Sequence, residues 1–162
     1  MRTVTRALVT GCMALFVMLW ASPLNAKVLN MSGTWKLNLE KSKYDPGPAP
    51  KSLTRTLEAQ GENVKYSFEG VSAEGTGFAY SFTVAFDGKE SPITGSMPGG
   101  ADAISIKRTD GNTFEATLTK AGKVIGTAKS EISKDGRVTT VTARGTNVDG
   151  QATTSSAVYD KQ

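Results

Sequence analysis

From Phe78 to Phe86 the chain alternates large and small side chains. Phe78, Tyr80, Phe82, Val84 and Phe86 hold one phase; Ala79, Ser81, Thr83 and Ala85 hold the other. Successive side chains on a strand point to opposite faces, so this pattern predicts a strand with one aromatic face. That face needs cover from a second sheet, a closed barrel interior or a ligand. The same alternation recurs along the chain. Trp35, Leu37 and Leu39 share a phase against Lys36 and Asn38. Leu53, Arg55 and Leu57 form another set, and Val64, Tyr66 and Phe68 the next. A weaker strand surrounds Ile93. Further sets are Ile104, Ile106 and Arg108, then Phe114, Ala116 and Leu118. Segments 124–133, 138–144 and 151–159 complete the series.

Turn signals separate these runs. Asp-Gly stands at 87, 110, 135 and 149, Ala121-Gly122 and Gly61-Glu62-Asn63 mark others, and glycine-rich stretches cover 70–77 and 97–100. Asp-Gly between alternating runs is a hairpin signal, because a type I′ turn needs positive φ. No amphipathic helical pattern of useful length follows residue 26. The predicted fold class is all-β: a single antiparallel up-and-down β-barrel of about 8–10 strands after an N-terminal signal helix. A two-sheet sandwich also fits. Next-neighbour hairpins favour the barrel, because closure removes exposed edges. The last three strands are rich in Thr, Ser and Ala, which predicts a partly polar wall or interior.

The first 26 residues read differently. Arg2 and Arg6 precede an apolar run from Ala7 to Ala21, and Pro23 and Leu24-Asn25-Ala26 follow. This order predicts a secretory signal peptide over 1–26, cleaved after Ala26. The run is shorter than the ~18–20 residues a spanning helix needs. Val9-Thr10-Gly11-Cys12 has the form of a lipoprotein box, but the apolar run continues past Cys12. The domain is therefore 27–162, and the expected location is periplasmic or secreted, with no stable membrane span after cleavage.

Composition narrows the chemistry. Of 19 Lys and Arg, two lie in the signal, leaving 17 against 15 acidic residues. The basic residues are scattered without a run, which argues against a nucleic-acid partner. The chain has no His, and its one Cys is Cys12. That excludes Ser-His-Asp and Cys-His nucleophile systems and ordinary zinc or copper sites. No cofactor, metal or catalytic residue is predicted. Asn147-Val148-Asp149-Gly150 lacks the acidic ligands of a calcium loop and reads as a turn. Asn30-Met31-Ser32 has the form of a glycosylation sequon.

Segment 40–51 carries Pro46, Pro48 and Pro50. Proline at alternate positions forbids helix and predicts an extended proline-rich arm, as linker, lid or docking element.

Gly33-Thr34-Trp35 resembles the Gly-x-Trp motif of lipocalins and the Gly-Thr-Trp opening of fatty-acid-binding proteins. Val158-Tyr159-Asp160-Lys161 is similar to the Val-Tyr-Glu-Lys ending of the latter. The pattern spans about 33–160, nearly all of the expected domain. By this resemblance the chain is placed in the calycin group, as a bacterial exported lipocalin-like or fatty-acid-binding-protein-like barrel. The resemblance implies a cup holding a small apolar molecule. Two departures stand out. The proline-rich arm occupies the place of the two lid helices of fatty-acid-binding proteins. Ala157 stands where their final strand supplies the arginine that holds the carboxylate.

The candidate ligand-binding residues are Arg55, Tyr66, Phe68, Tyr80, Phe82, Arg108 and Tyr159. Trp35 is expected to plug one end of the barrel. Tyr66, Phe68, Tyr80 and Phe82 occupy apolar phases of neighbouring strands, where they fill a core or line a cavity. A buried phenol needs a hydrogen-bond partner, so convergent tyrosines form a polar anchor. Arg55 and Arg108 sit in phases otherwise given to Leu or Ile. An inward arginine meets a ligand anion or an internal carboxylate, or stays at the rim with its stem on apolar surface. The phase of Arg144 is open, since Val141 and Ala143 compete with Thr140 and Thr142.

The leading expectation is non-covalent binding of a small hydrophobic ligand. The alternative is a filled barrel acting as an envelope structural or protein-interaction module, with an unidentified protein partner. Cavity volume separates the two. An enzyme is the weakest reading, since no paired carboxylates share an inward phase.

Overall fold

The computed structural model describes residues 31–147 and 150–162. The expected signal peptide, Cys12, Asn30, Val148 and Asp149 lie outside the described residues.

Among the described residues, eleven antiparallel strands form one sheet: β1 (Gly33–Asp45), β2 (Ser52–Gln60), β3 (Asn63–Val71), β4 (Gly77–Val84), β5 (Asp87–Pro92), β6 (Thr94–Gly95), β7 (Ala103–Arg108), β8 (Thr113–Lys120), β9 (Lys123–Ile132), β10 (Val138–Thr146) and β11 (Ala152–Lys161). Their order is β5-β7-β8-β9-β10-β11-β1-β2-β3-β4-β6. The two edges of this sheet, β5 and β6, are separated in sequence only by Ile93. Laid flat, ten gaps of ~4.8 Å would hold them ~48 Å apart. One residue reaches only ~3.5 Å. The sheet therefore curls into a near-closed barrel, as the meander pattern predicts, and the sandwich is excluded.

The chain from Asp87 to Gly95 is one path with two partners. β5 pairs with β7, and β6 pairs with β4 through Tyr80–Gly95 and Ser81–Thr94. Asp87-Gly88 is thus not the hairpin turn that its sequence suggests. The chain bends at Phe86 and Gly88, at φ 58° and 82°, and passes to the other sheet edge. Gly95 permits the second contact. A Cβ there would stand 2.4 Å from the Ala79 carbonyl oxygen, and its φ is 99°. Ala121-Gly122, with φ 49° and 75°, does make the expected tight turn, between β8 and β9.

β1 runs farther than its alternation indicates. Of the segment 40–51, residues 40–45 belong to this strand, and Pro46 begins the irregular part. The pairing with β11 steps from Asn38–Val158 to Lys43–Ser156. Three extra residues on β1 form a bulge. The Ser42 hydroxyl donates to the Asn38 carbonyl (2.6 Å) and accepts from the Val158 N–H (2.9 Å), restoring the broken ladder. An odd insertion reverses the phase. Leu39 is left 44% exposed, while Tyr44 turns inward.

The core fills one end. Trp35, 1% exposed, donates its indole N–H to the Met31 carbonyl at 3.1 Å. Around it lie Leu57, Val64, Val84, Phe86 and Phe114. Phe86 and Phe114 meet with ring centres 4.8 Å apart. Trp35 thus seals the base, as expected of a large aromatic at the first strand.

Candidate functional site

Above that base the barrel is hollow. A cavity of about 700 Å³ extends to a mouth bordered by Pro46–Pro50, Ser72–Glu74 and Met97-Pro98. The volume falls within the range of small-molecule sites, roughly 300–1,000 Å³. Its origin is an asymmetry between walls. β3 and β4 present Tyr66, Phe68, Phe78, Tyr80 and Phe82. Across from them, β8 to β11 present Ala116, Ala128, Ser130, Ala143, Ser155 and Ala157, with Phe114, Leu118, Val141 and Tyr159 the larger side chains among them. Small side chains on one wall leave the space unfilled. This is the structural meaning of the Ala- and Ser-rich final strands.

Six of the seven predicted site residues line this cavity: Arg55, Tyr66, Phe68, Tyr80, Phe82 and Tyr159. Arg108 does not. β7 ends at that residue, and its side chain turns to the following loop. There its Nη2 donates to the Gly111 carbonyl at 2.7 Å and its Nε to the Asp110 carbonyl at 3.2 Å, with the Phe114 ring 5.7 Å away. Arg108 braces a turn at the base. Arg144 is exposed, because Val141 and Ala143 take the inward phase of β10.

Arg55 is the polar centre of the cup. β2 places it in register between Trp35 of β1 and Phe68 of β3. Its residue is only 5% exposed. The guanidinium carbon lies 5.2 Å from the centre of the Trp35 ring and 4.2 Å from that of Tyr159. These rings offer cation–π contact, worth about 0.5–2 kcal/mol each. They accept no proper hydrogen bond, and Nε has no partner. Among the described residues, no carboxylate lies within ion-pair distance of it. Burial drives its pKa below the ordinary arginine value, and the neighbouring phenols oppose that shift.

The chain has four tyrosines, and all four line the same cavity. Tyr44 is the one that alternation missed, for the reason given by the bulge. Burial pushes the phenols of Tyr44 and Tyr66 up to about 12, and moves those of Tyr80 and Tyr159 upward as well. Each therefore stays protonated at neutral pH and can donate a hydrogen bond. The cup thus holds one buried cation and several neutral donors within apolar walls. Among the described residues, no group of three or more acidic, His or Cys side chains is placed to hold a metal. Among the same residues, no helix is long and apolar enough to cross a membrane.

The barrel is similar to the crystal structure of Rv2717c from M. tuberculosis, with a TM-score of 0.54 and 12% identity over 87% of this chain and 98% of that one. It is also similar to zebrafish ileal bile acid-binding protein complexed with cholic acid, with a TM-score of 0.51 and 16% identity over 82% of this chain and 99% of that one. The likeness is one of fold, a near-closed antiparallel barrel, as the meander had indicated. No protein-family model and no curated relative matches the chain.

Proposed function

We propose that the protein is a passive, exported carrier of a small hydrophobic molecule bearing an acidic group. The observation that carries this reading is Arg55, a buried cation with an unpartnered Nε at the wall of an apolar cavity. Leaving such a charge unpaired costs several kcal/mol. An oxyanion in the cup would supply the missing hydrogen bonds and countercharge. The arginine of the fatty-acid-binding proteins is absent at Ala157, and β2 offers another in its stead.

The apolar body of the ligand would lie against the aromatic and alanine walls. Burying a few hundred Å² of it, at ~25 cal/mol per Å², contributes several kcal/mol before association costs. Binding, rather than catalysis, suits groups held in this state. Phenols with raised pKa are poor bases at neutral pH. The segment 1–26 supports a periplasmic or secreted location. The zebrafish structure, a bile acid-binding protein holding cholic acid on a similar barrel, is consistent with this use of the cup.

Native mass spectrometry of the protein purified from its own host tests the reading. The expected result is a discrete mass excess that is lost on denaturation, with the released species ionising as an acid. An unliganded mass that persists after incubation with a broad lipid and metabolite extract would favour the interaction-module reading instead.

A further inference from the structure

Building on the carrier reading, we propose that the ligand is a flat, π-rich organic acid, an aryl or conjugated carboxylate, and not a saturated one. The geometry of the aromatic wall points to it. In register, Phe68 pairs with Tyr80 and Tyr66 with Phe82. The first pair of rings has centres 4.5 Å apart and planes within 8°, the second 5.0 Å and 20°. Along the strands, Tyr66 and Phe68 lie 6.3 Å apart at 11°, and Phe78 and Tyr80 lie 6.3 Å apart at 20°. These five rings keep near one orientation, with Phe82 tilted 31° to Phe68.

Neighbouring strands are ~4.8 Å apart, so rings stacked across them stand on edge, like cards in a rack. Side chains on a sheet stand roughly perpendicular to it. The ring rims therefore face the cavity, with the hydroxyls of Tyr66 and Tyr80 at the tips. The rim is the positive end of the aromatic quadrupole. Arg55 adds a full positive charge beside this wall. Among the described residues, the one acidic side chain lining the cavity is that of Glu74, exposed at the mouth.

The interior is thus electropositive along its aromatic side. A saturated ligand gains only buried area there. A conjugated plate also lays its electron-rich face against several rims, in edge-to-face contact. The alanines of the opposite wall leave room for the second face of the plate. A carboxylate on the same molecule reaches Arg55.

Isothermal titration of the purified protein with three acids and one alcohol tests this. The probes are 4-(1-pyrenyl)butanoate, 4-(1-pyrenyl)butanol, hexadecanoate and cholate. Pyrenylbutanoate is expected to bind about tenfold or more tighter than hexadecanoate, cholate or the alcohol. Phe68→Leu is expected to weaken pyrenylbutanoate more than hexadecanoate. A saturated acid that binds as tightly as pyrenylbutanoate would overturn the proposal and leave the carrier reading standing. Equal losses for both acids in Phe68→Leu would overturn it too. Failure of all four probes to bind would remove both readings together.

Discussion

The guanidinium carbon of Arg55 sits 4.2 Å from the centre of the Tyr159 ring, in a cavity where no carboxylate of the described residues lies within ion-pair distance of it. Arg55 lies on β2 and Tyr159 on β11, with β1 between them in the sheet. Barrel curvature and side-chain reach bring them together. The pair keeps a cation in an apolar cup without neutralising it, which is a poor arrangement for stability and a good one for binding an anion.

Arg55→Met should separate those two roles. Replacing buried ionic groups with apolar side chains of similar volume is often neutral or stabilising, by about 1–4 kcal/mol. Urea denaturation of the ligand-free variant should show an unchanged or higher midpoint, while acid binding falls at least about tenfold. A clearly lower midpoint would make Arg55 a structural residue.

Tyr159→Phe keeps the ring against Arg55 and removes the hydroxyl. Stability should change by less than about 1 kcal/mol, since no described residue hydrogen-bonds that hydroxyl. Affinity for a carboxylate should fall about three- to tenfold if the phenol donates to the ligand. Tyr159→Ala should instead cost about 3–5 kcal/mol, because it also opens the core. Calorimetry and denaturation of both variants check the split.

Alkaline pH should destabilise the fold through Tyr66. Its phenol ionises near 10 in the unfolded chain, whereas burial pushes it up to about 12 in the fold. The folded state thus holds the proton more tightly. Its contribution is complete below pH ~10 and is lost as pH rises toward 12. At ~1.4 kcal/mol per pKa unit, the loss approaches about 3 kcal/mol. Denaturation midpoints should drop over that window, and Tyr66→Phe should lessen the drop, the remainder coming from the other raised phenols, Tyr44, Tyr80 and Tyr159. An equal slope in the variant would assign the effect elsewhere.

Ala143→Phe should fill the cavity from the small-residue wall. Ala143 pairs in register with Ala128, and both line the cavity. Binding of any internal ligand should fall more than about tenfold while the barrel stays folded. Undiminished binding with a normal circular-dichroism spectrum would place the ligand outside the cup.

Gly95→Ala should loosen the barrel seam. The added Cβ meets the Ala79 carbonyl oxygen at 2.4 Å and the Tyr80 Cα at 2.9 Å. Strain at its φ of 99° adds to the clash. A loss on the order of 2–3 kcal/mol is expected. Hydrogen exchange should show faster opening at Tyr80 and Ser81, the residues paired with β6.

The fold was legible because strand alternation has a period of two and the chain keeps it nearly everywhere. Arg55 was legible for the same reason, lying between Leu53 and Leu57 on one phase. Arg108 carried the same signal and misled, since alternation shows phase but not where a strand stops. One residue past Lys107 the backbone turns, and loop carbonyls capture the side chain. Tyr44 and Leu39 exchanged roles at the β1 bulge. Charged residues at 40, 41 and 43 hide the three-residue insertion, and a phase count cannot see an unannounced bulge. Asp87-Gly88 has the chemistry of a hairpin turn, but whether the strands it joins pair with each other is decided by closure of the whole barrel. The cavity was legible only as a shortage of bulk on the last strands. Its depth depends on how ten interstrand gaps curve together.

The most direct test of the central claim is the ionisation of a bound acid. Pyrenylbutanoate labelled with ¹³C at its carboxyl can be followed by NMR in the complex between pH 4 and 8. Docked on Arg55, the carboxylate should stay ionised throughout, with its pKa held below the ordinary ~4–5 of a carboxyl group. A carboxyl that takes up its proton between pH 5 and 8 would be desolvated without a cationic partner. That result would contradict Arg55 as the anchor of the site.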